Sequence, residues 1–163
     1  MGKVEKRFRY PPLTQMGLDI SSIMFGLIIL GAAVGLIIGI MDQTGLSFNI
    51  SSYLISLSNG NSILLLILTA ALCIVLGMGM PTTSTYLIVA IICAPALIDA
   101  GFNELYSHLF VLYFGCLSLI TPPVAIASFS AAKISGANPL AVAFHSVYIG
   151  WPLFLIPFFF ILM

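Results

Sequence analysis

Charged residues are scarce in this sequence. Only 6% of its 163 residues are charged, whereas 61% are hydrophobic and the mean hydropathy is +1.19. Soluble domains carry about a quarter charged residues, so the composition excludes a water-soluble globule. The alternation of apolar and polar residues that marks membrane β-barrels is also missing, because the apolar residues come in long blocks. The sequence therefore predicts an all-α integral membrane protein with several spans.

Cysteine and histidine are equally scarce. Cys73, Cys93 and Cys116 are widely spaced in apolar surroundings, with neither metal-ligand spacing nor a disulfide framework, so we expect all three to be buried as small hydrophobes. His108 and His145 each stand alone, which favours hydrogen bonding near loops or between helices over metal binding. Paired acid and base residues and nucleophile constellations are missing too, so we expect a protein that is not an enzyme and needs no cofactor.

Positive charge lies at one end of the chain. Lys3, Lys6, Arg7 and Arg9 precede the first apolar block, and the next basic residue is Lys133. The positive-inside rule predicts a cytoplasmic N-terminus, with residues 1–20 as a basic interfacial lead. A cleaved signal peptide is the alternative. It is disfavoured because the apolar block exceeds a signal h-region and no clean cleavage site follows.

The apolar blocks predict a membrane domain over residues 21–163. Its parts are a span at about 21–41, two apolar arms at 62–100, an interrupted helix at 105–134 and a last span at 140–163. The segment between the first two blocks has no Lys or Arg and predicts a short interfacial helix. One apolar face of that helix would consist of Phe48, Ile50, Tyr53, Leu54 and Leu57.

The two arms meet in a stretch that lipid does not favour, Gly77–Thr85. It holds two glycines, Pro81 and four consecutive hydroxyl residues, Thr82 to Thr85. Hydrocarbon offers no water to satisfy backbone freed by such a break. Either the stretch is a cytoplasmic turn between two full spans, or it is the tip of a re-entrant hairpin. The lack of any charge favours the hairpin, and both alternatives leave the remaining topology unchanged.

A second break lies at Thr121-Pro122-Pro123, where two consecutive residues lack an N–H and helix 109–120 must end before helix 124–134 begins. Unwound backbone beside hydroxyl side chains is typical of ion and substrate sites in secondary transporters. No charged residue falls at mid-membrane, which argues against a carboxylate proton relay. Coordination of Na⁺ by neutral oxygens fits better.

Four motifs, in order, carry a resemblance to a known family. They are Gly77-Met-Gly-Met-Pro-Thr-Thr-Ser-Thr-Tyr, Ala94-Pro-Ala-Leu, Leu109-Phe-Val-Leu-Tyr-Phe-Gly and Thr121-Pro-Pro-Val-Ala. From about residue 21 to the end, the chain resembles the C-terminal part (the DctM-like domain) of the large membrane subunit of TRAP (tripartite ATP-independent periplasmic) transporters. The fused permeases, in which small and large subunits form one chain, look most similar.

The resemblance implies an elevator-type importer in a prokaryotic cytoplasmic (inner) membrane. Its substrates would be organic acids such as C4-dicarboxylates, coupled to Na⁺ or H⁺ and delivered by an extracytoplasmic solute-binding protein. Gly77–Thr85 would be the hairpin tip and Thr121-Pro122-Pro123 the broken helix of the family's second inverted repeat. The implied ion- and substrate-binding residues are Gly77, Gly79, Pro81, Thr82, Thr83, Ser84, Thr85, Thr121, Pro122 and Pro123, with Na⁺ held through Thr83, Thr121 and nearby carbonyls.

Length is where the chain departs from the family. No second copy of the break pattern precedes residue 62, although the family's transport core uses two repeats. We therefore expect a partner in the membrane, either the missing first-repeat half of the permease or another TRAP membrane subunit. The alternative is a truncated, non-transporting fragment or assembly partner of a larger permease. No nucleic-acid partner is expected.

Overall fold

A computed structural model describes residues 13–163 of the chain, and within them every regular element is helical. The α-helices are α1 (Leu13–Thr44), α2 (Leu46–Ser58), α3 (Ser62–Gly77), α4 (Thr82–Asp99), α5 (Glu104–Leu117), α6 (Ile126–Ser135), α7 (Pro139–Ile149) and α8 (Ile156–Leu162). A 3₁₀ turn at Trp151–Phe154 lies between α7 and α8. The predicted all-helical membrane class is thus supported. The cluster Lys3–Arg9 lies outside the described residues, so the predicted cytoplasmic N-terminus remains a prediction.

Helix α1 contains the predicted first span but is longer. It already begins at Leu13, inside the segment expected to be an interfacial lead, and its 32 residues extend about 48 Å at 1.5 Å per residue. The chain divides into two compact units at Ala33, and the described part of the first unit is this helix up to that residue. Its large apolar side chains are exposed, as expected of a surface that faces lipid.

Helix α2 packs against α3 and α4 through a face that the sequence did not predict. Leu54 is buried, but Phe48, Tyr53 and Leu57 are each more than 60% exposed, so the five residues predicted to share one apolar face do not all face the protein, and the location of that face at the membrane interface stays a prediction. The inward positions are instead Ser51, Leu54 and Ser58, and the Ser51 hydroxyl donates to the Ile92 carbonyl of α4 over 3.2 Å. Small serines allow close approach of two helices in an apolar surrounding, which hydropathy alone does not reveal.

The core is built by the hairpin α3–α4 with α5 packed against it, and α8 packs on α5. Helix α4 makes its most extensive contact with α5, and α3 contacts both. Phe110 and Phe114 of α5 lie 5.4 Å and 5.7 Å from Phe158 of α8 between ring centroids, both in edge-to-face geometry. Cys73 and Cys93 are fully buried as expected, but Cys116 is exposed. It lies on the side of α5 that faces away from the hairpin.

The helix lengths bear on which segments cross the membrane. Two helices, α1 and α4, are long and apolar enough to span, and α7 with the segment Trp151–Leu162 would make a third. That last pair bends by 65°, so the segment predicted as one span over 140–163 is not a straight helix. Pro152 and Pro157, which lack the N–H that a continuous helix requires, lie directly after the bend at Gly150.

Candidate functional site

The tip between α3 and α4 is a tight, irregular turn. Helix α3 ends at Gly77, Met78 is extended, and Gly79 has a φ of +83°, a left-handed conformation that favours glycine. Helix α4 then begins at Thr82, directly after Pro81. No side chain caps this start, whereas asparagine side chains cap α3, α5 and α7. The first turn of α4 is therefore held by other contacts.

The second break separates α5 from α6 by eight residues, 118–125. Turns of i to i+3 type continue from Ser118 to Thr121, and Pro122 then ends the series because it has no N–H to donate. Helix α6 starts after Ala125, a fully buried residue with a φ of +30°, which costs about 1–3 kcal/mol for a non-glycine residue. The amide of Ala127 donates to the Leu119 carbonyl over 3.0 Å and so ties the two half-helices together.

The fold brings the tip and the second break into direct contact. A Cβ atom placed on Gly77 would lie only 2.6 Å from the Ser118 hydroxyl oxygen and 2.9 Å from the Thr85 methyl group. A Cβ on Gly115 would lie 3.1 Å from that same methyl, and one on Gly79 would lie 3.5 Å from a Val124 methyl. Glycine at 77 is thus required by the close approach of α3 to the end of α5.

We call the contact between the α3–α4 tip and the break between α5 and α6 the junction. Three hydroxyl groups at this junction donate their protons to backbone carbonyls. Thr85 donates to Met80 over 3.3 Å, Ser118 to Gly115 over 2.6 Å, and Thr121 to Leu117 over 2.8 Å. A hydroxyl whose proton is committed still presents lone pairs, so it can accept a hydrogen bond or coordinate a cation. These three groups are therefore better suited to a cation than to a carboxylate.

The backbone groups at the junction also favour a cation, because they carry partial negative charge. Gly77 is the last residue of α3 and Ser118 follows the last residue of α5, so two helix C-termini, each with a partial negative charge, lie side by side. In the described part of the chain, the carbonyl oxygens of residues 120–124 accept no hydrogen bond. Freed carbonyls and helix C-termini are the groups that hold Na⁺ in broken-helix transporters.

The remaining predicted residues occupy different environments. Ser84 is 3% exposed and its hydroxyl has no hydrogen-bond partner among the described residues, which is unusual for a buried polar group. Thr82, Thr83, Pro81 and Pro123 are exposed, and Thr121 and Pro122 are half-buried. The Thr85 methyl contacts both Gly77 and Gly115, whereas Thr83, which the resemblance gives as a Na⁺ ligand together with Thr121, is exposed, and these ligand roles stay a prediction.

Sequence reasoning missed Gly115, Ser118 and Val124, which provide the α5 and α6 side of the junction. One signal was present in the sequence, since Ser118 is a hydroxyl residue three positions before Thr121-Pro122-Pro123. The significance of Gly115 could not be found, because glycine is common in membrane helices and only packing against Thr85 distinguishes this one.

The two histidines lie in α5 and α7. His108 accepts or donates a hydrogen bond across helices to the Tyr86 hydroxyl at 3.2 Å, and His145 bonds the Ala141 carbonyl of its own helix at 2.8 Å. The contact of His108 is of the interhelical kind predicted from sequence, whereas that of His145 is neither near a loop nor between helices. Residues 13–163 hold no cluster of three or more His, Cys, Asp or Glu side chains that would suit a metal ion.

Comparison with known proteins identifies the family. The family model described as "Tripartite ATP-independent periplasmic transporter, DctM component" matches residues 3–163. Searches of the curated proteins and of the solved structures gave no match. Because the family model covers nearly the whole sequence, the chain belongs to the DctM family, the large membrane component of TRAP transporters, which is a family of transporters and not of enzymes.

Proposed function

We propose that this chain forms part of a TRAP importer that couples uptake of an organic acid to entry of Na⁺. The coupling ion would bind where the α3–α4 tip meets the break between α5 and α6. The observation that carries this proposal is the contact of Gly77 with the Ser118 hydroxyl and the Thr85 methyl, which brings two helix C-termini together, while the Thr85 hydroxyl donates to the Met80 carbonyl of the tip.

The organic acid would bind next to this cation. A carboxylate needs donors, and the start of α4 offers the uncapped amides of its first turn together with the Ser84 hydroxyl, which has no partner among the described residues. Cation and carboxylate would then lie on opposite ends of one irregular segment. This arrangement accounts for coupling, because each charge lowers the cost of placing the other in an apolar surrounding.

The other components follow from family membership. A TRAP membrane component works with further TRAP membrane subunits, and we propose that an extracytoplasmic solute-binding protein delivers the substrate to it. The described residues contain one hairpin joined to one broken helix. We therefore propose that a matching repeat, on another chain or elsewhere in the permease, completes the elevator domain in the cytoplasmic membrane. Re-entry of the hairpin, whose arms have 16 and 18 residues, belongs to this proposal.

The experiment is uptake of a radiolabelled C4-dicarboxylate into proteoliposomes that contain the chain with its TRAP membrane partners, with binding protein added outside. Na⁺, K⁺ and choline gradients of equal ionic strength are compared at constant pH. We expect uptake only with Na⁺, and Thr85→Val should raise the Na⁺ concentration for half-maximal uptake about tenfold. The exposed Thr82→Val serves as the matched control.

Two other outcomes are informative. Uptake that follows a pH gradient but not a Na⁺ gradient would replace Na⁺ by H⁺ as the coupling ion. If the chain inserts and co-purifies with its partners but no gradient drives uptake, the alternative of a non-transporting assembly partner is favoured instead.

A further inference from the structure

A polar contact beside the junction is not explained by ion or substrate binding. The Tyr86 hydroxyl of α4 lies 3.2 Å from Nδ1 of His108 in α5, and the two rings meet edge to face with centroids 6.3 Å apart. Both residues are half-buried. Tyr86 directly follows Thr85 in the sequence, so this contact joins the first turns of α4 to α5.

The start of α4, like those of α2, α6 and α8, has no side-chain cap, so it depends on contacts with its neighbours. Pro81 provides no side-chain cap, whereas Asn61 Oδ1 accepts two amide hydrogen bonds at the start of α3. The first turn of α4 is instead fixed to α5 at two consecutive residues, Thr85 against Gly115 and Tyr86 to His108. Consecutive helical residues point about 100° apart, so the two contacts together restrict rotation of the helix.

A cavity borders this pair. Tyr86, Asn103, Glu104, Leu105 and His108 line it, and its volume is about 530 Å³. Both side chains of the pair are only half-buried, so loss of the hydrogen bond would not leave a fully buried polar group without a partner. Substitutions at the pair should consequently alter position more than folding. The neighbouring Glu104 carboxylate is one helical turn before His108 and provides the only formal charge of the lining.

We propose that Tyr86 and His108 form a positioning pair that holds the first turn of α4 against α5 and thereby sets the Na⁺ affinity of the junction. This inference rests on the proposed function, because it assigns the pair an effect on the ion that the junction binds. The pair acts through Thr85: without it, the α4 start can rotate, which moves the Thr85 methyl from its contacts with Gly77 and Gly115 and shifts the hydroxyl that donates to Met80.

The test is a double-mutant cycle in the purified chain with its TRAP partners, with the Na⁺ concentration for half-maximal uptake and the maximal rate measured separately. Tyr86→Phe and His108→Ala should each raise the half-saturating Na⁺ concentration about three- to tenfold, the range of one hydrogen bond, with the maximal rate unchanged. The double variant should be no worse than either single variant. His108→Gln, which keeps a hydrogen-bonding group, should restore the wild-type value to within about twofold.

Two controls separate positioning from other effects. His145→Ala removes the other histidine, whose ring bonds its own helix, and should change nothing. Glu104→Gln removes the charge of the cavity but keeps the pair, so an effect as large as that of Tyr86→Phe would assign the role to electrostatics. Additive effects of Tyr86→Phe and His108→Ala, or an unchanged half-saturating concentration, would overturn the proposal.

Failure of the proposed function can be recognised independently. In a Cys116→Ser background, which removes the exposed native thiol, Thr83→Cys reports the position of the α4 start by its rate of maleimide labelling without any ion. The positioning pair predicts faster labelling when Tyr86→Phe is added, even if Na⁺ turns out not to bind. Equal labelling rates with and without Tyr86→Phe would contradict the positioning role itself.

Discussion

Two proline-associated breaks among the described residues, at 118–125 and 150–155, differ in what surrounds them. At residues 118–125, the break packs against a second irregular segment, and the carbonyls of residues 120–124 accept no hydrogen bond in the described part of the chain. At residues 150–155, the backbone forms its own turns, with Leu153 donating to Gly150 over 2.9 Å and Leu155 to Pro152 over 3.1 Å. Its side chains Trp151 and Leu153 are exposed. Proline interrupts a helix in both places, but only the first break packs against a second irregular segment that carries hydroxyl side chains.

The two breaks differ in the segment that packs against them and not in the way proline interrupts the helix. Because Gly77, Gly79 and Gly115 have no side chain, their backbone lies directly against the side chains of Ser118, Thr85 and Val124. The break at residues 150–155 has aromatic and aliphatic residues and no hydroxyl side chain between Gly150 and Leu155. A site therefore requires that a break and a small-residue segment coincide in space. The following predictions test this comparison.

The largest effect should come from filling the glycine contact. Gly77→Val would place atoms within 3 Å of Ser118 and Thr85, and it should lower the free energy of unfolding by about 1–3 kcal/mol and abolish the Na⁺ response. Thermal unfolding in lipid nanodiscs, with and without Na⁺, measures both the loss of stability and the loss of the Na⁺ response. Gly39→Val is the control, since the space around Gly39 is open. Ser118→Gly added to the milder Gly77→Ala should restore part of the stability. A fully stable, Na⁺-responsive Gly77→Val would show that the close contact does not exist.

Restoring the missing amides should distinguish the two breaks. Replacement of both Pro122 and Pro123 by alanine allows α5 to continue into α6, and we expect Na⁺-driven uptake to fall more than tenfold. Pro152→Ala changes a turn that already satisfies its own backbone, and uptake should fall less than twofold. Uptake in proteoliposomes measures both variants. Equal losses at the two breaks would mean that their surroundings do not matter.

A smaller effect is expected at the end of α3 that lies opposite the tip. Asn61→Ala removes the cap that accepts from the amides of Ile63 and Leu64, and it should cost about 1 kcal/mol of stability. The half-saturating Na⁺ concentration should remain that of the wild type, because the junction is at the other end of the helix. A change in Na⁺ affinity equal to that of Thr85→Val would show that the site is not local.

The smallest effect should come from labelling Cys116. This cysteine lines an apolar cavity of about 460 Å³ that is also lined by Leu153 of the break at residues 150–155. A maleimide should react with Cys116 and leave the fully buried Cys73 and Cys93 unmodified, as intact-mass measurement would show. Na⁺ affinity should be unchanged after labelling. Modification of two or three cysteines in the folded protein would contradict the packing of α3 on α4.

Much of this architecture follows from the sequence because membrane helices must satisfy their own backbone. The long apolar blocks predicted the helices. The two irregular segments were predicted from Gly77–Thr85 and Thr121-Pro122-Pro123. Helix α5 ends three residues earlier than expected, and α6 begins two residues later. The contact between these segments could be predicted only through the family resemblance. Nothing in the local pattern of Gly115 or Ser118 indicates which helix they face.

Burial was harder to predict than helix position. In water, apolar residues point inward, but a lipid-facing helix has apolar residues on every side, so hydropathy does not give the direction of the core. This explains why Phe48, Tyr53 and Leu57 of α2 are exposed while Ser51 and Ser58 are buried. The same reason accounts for the exposed Cys116 and for the bend at Gly150 within an apolar segment.

Equilibrium Na⁺ binding tests the central claim most directly, namely that the tip and the break at Thr121-Pro122-Pro123 form one cation site. The unfolding temperature of the chain with its TRAP partners is measured in nanodiscs as Na⁺ replaces K⁺ at constant ionic strength. The account predicts stabilisation that saturates with Na⁺, about 2.7 kcal/mol at a concentration 100 times the dissociation constant. Thr85→Val and Ser118→Ala should each weaken it and Thr82→Val should not. Identical stabilities in Na⁺ and K⁺, or a Na⁺ response that survives Thr85→Val unchanged, would contradict it.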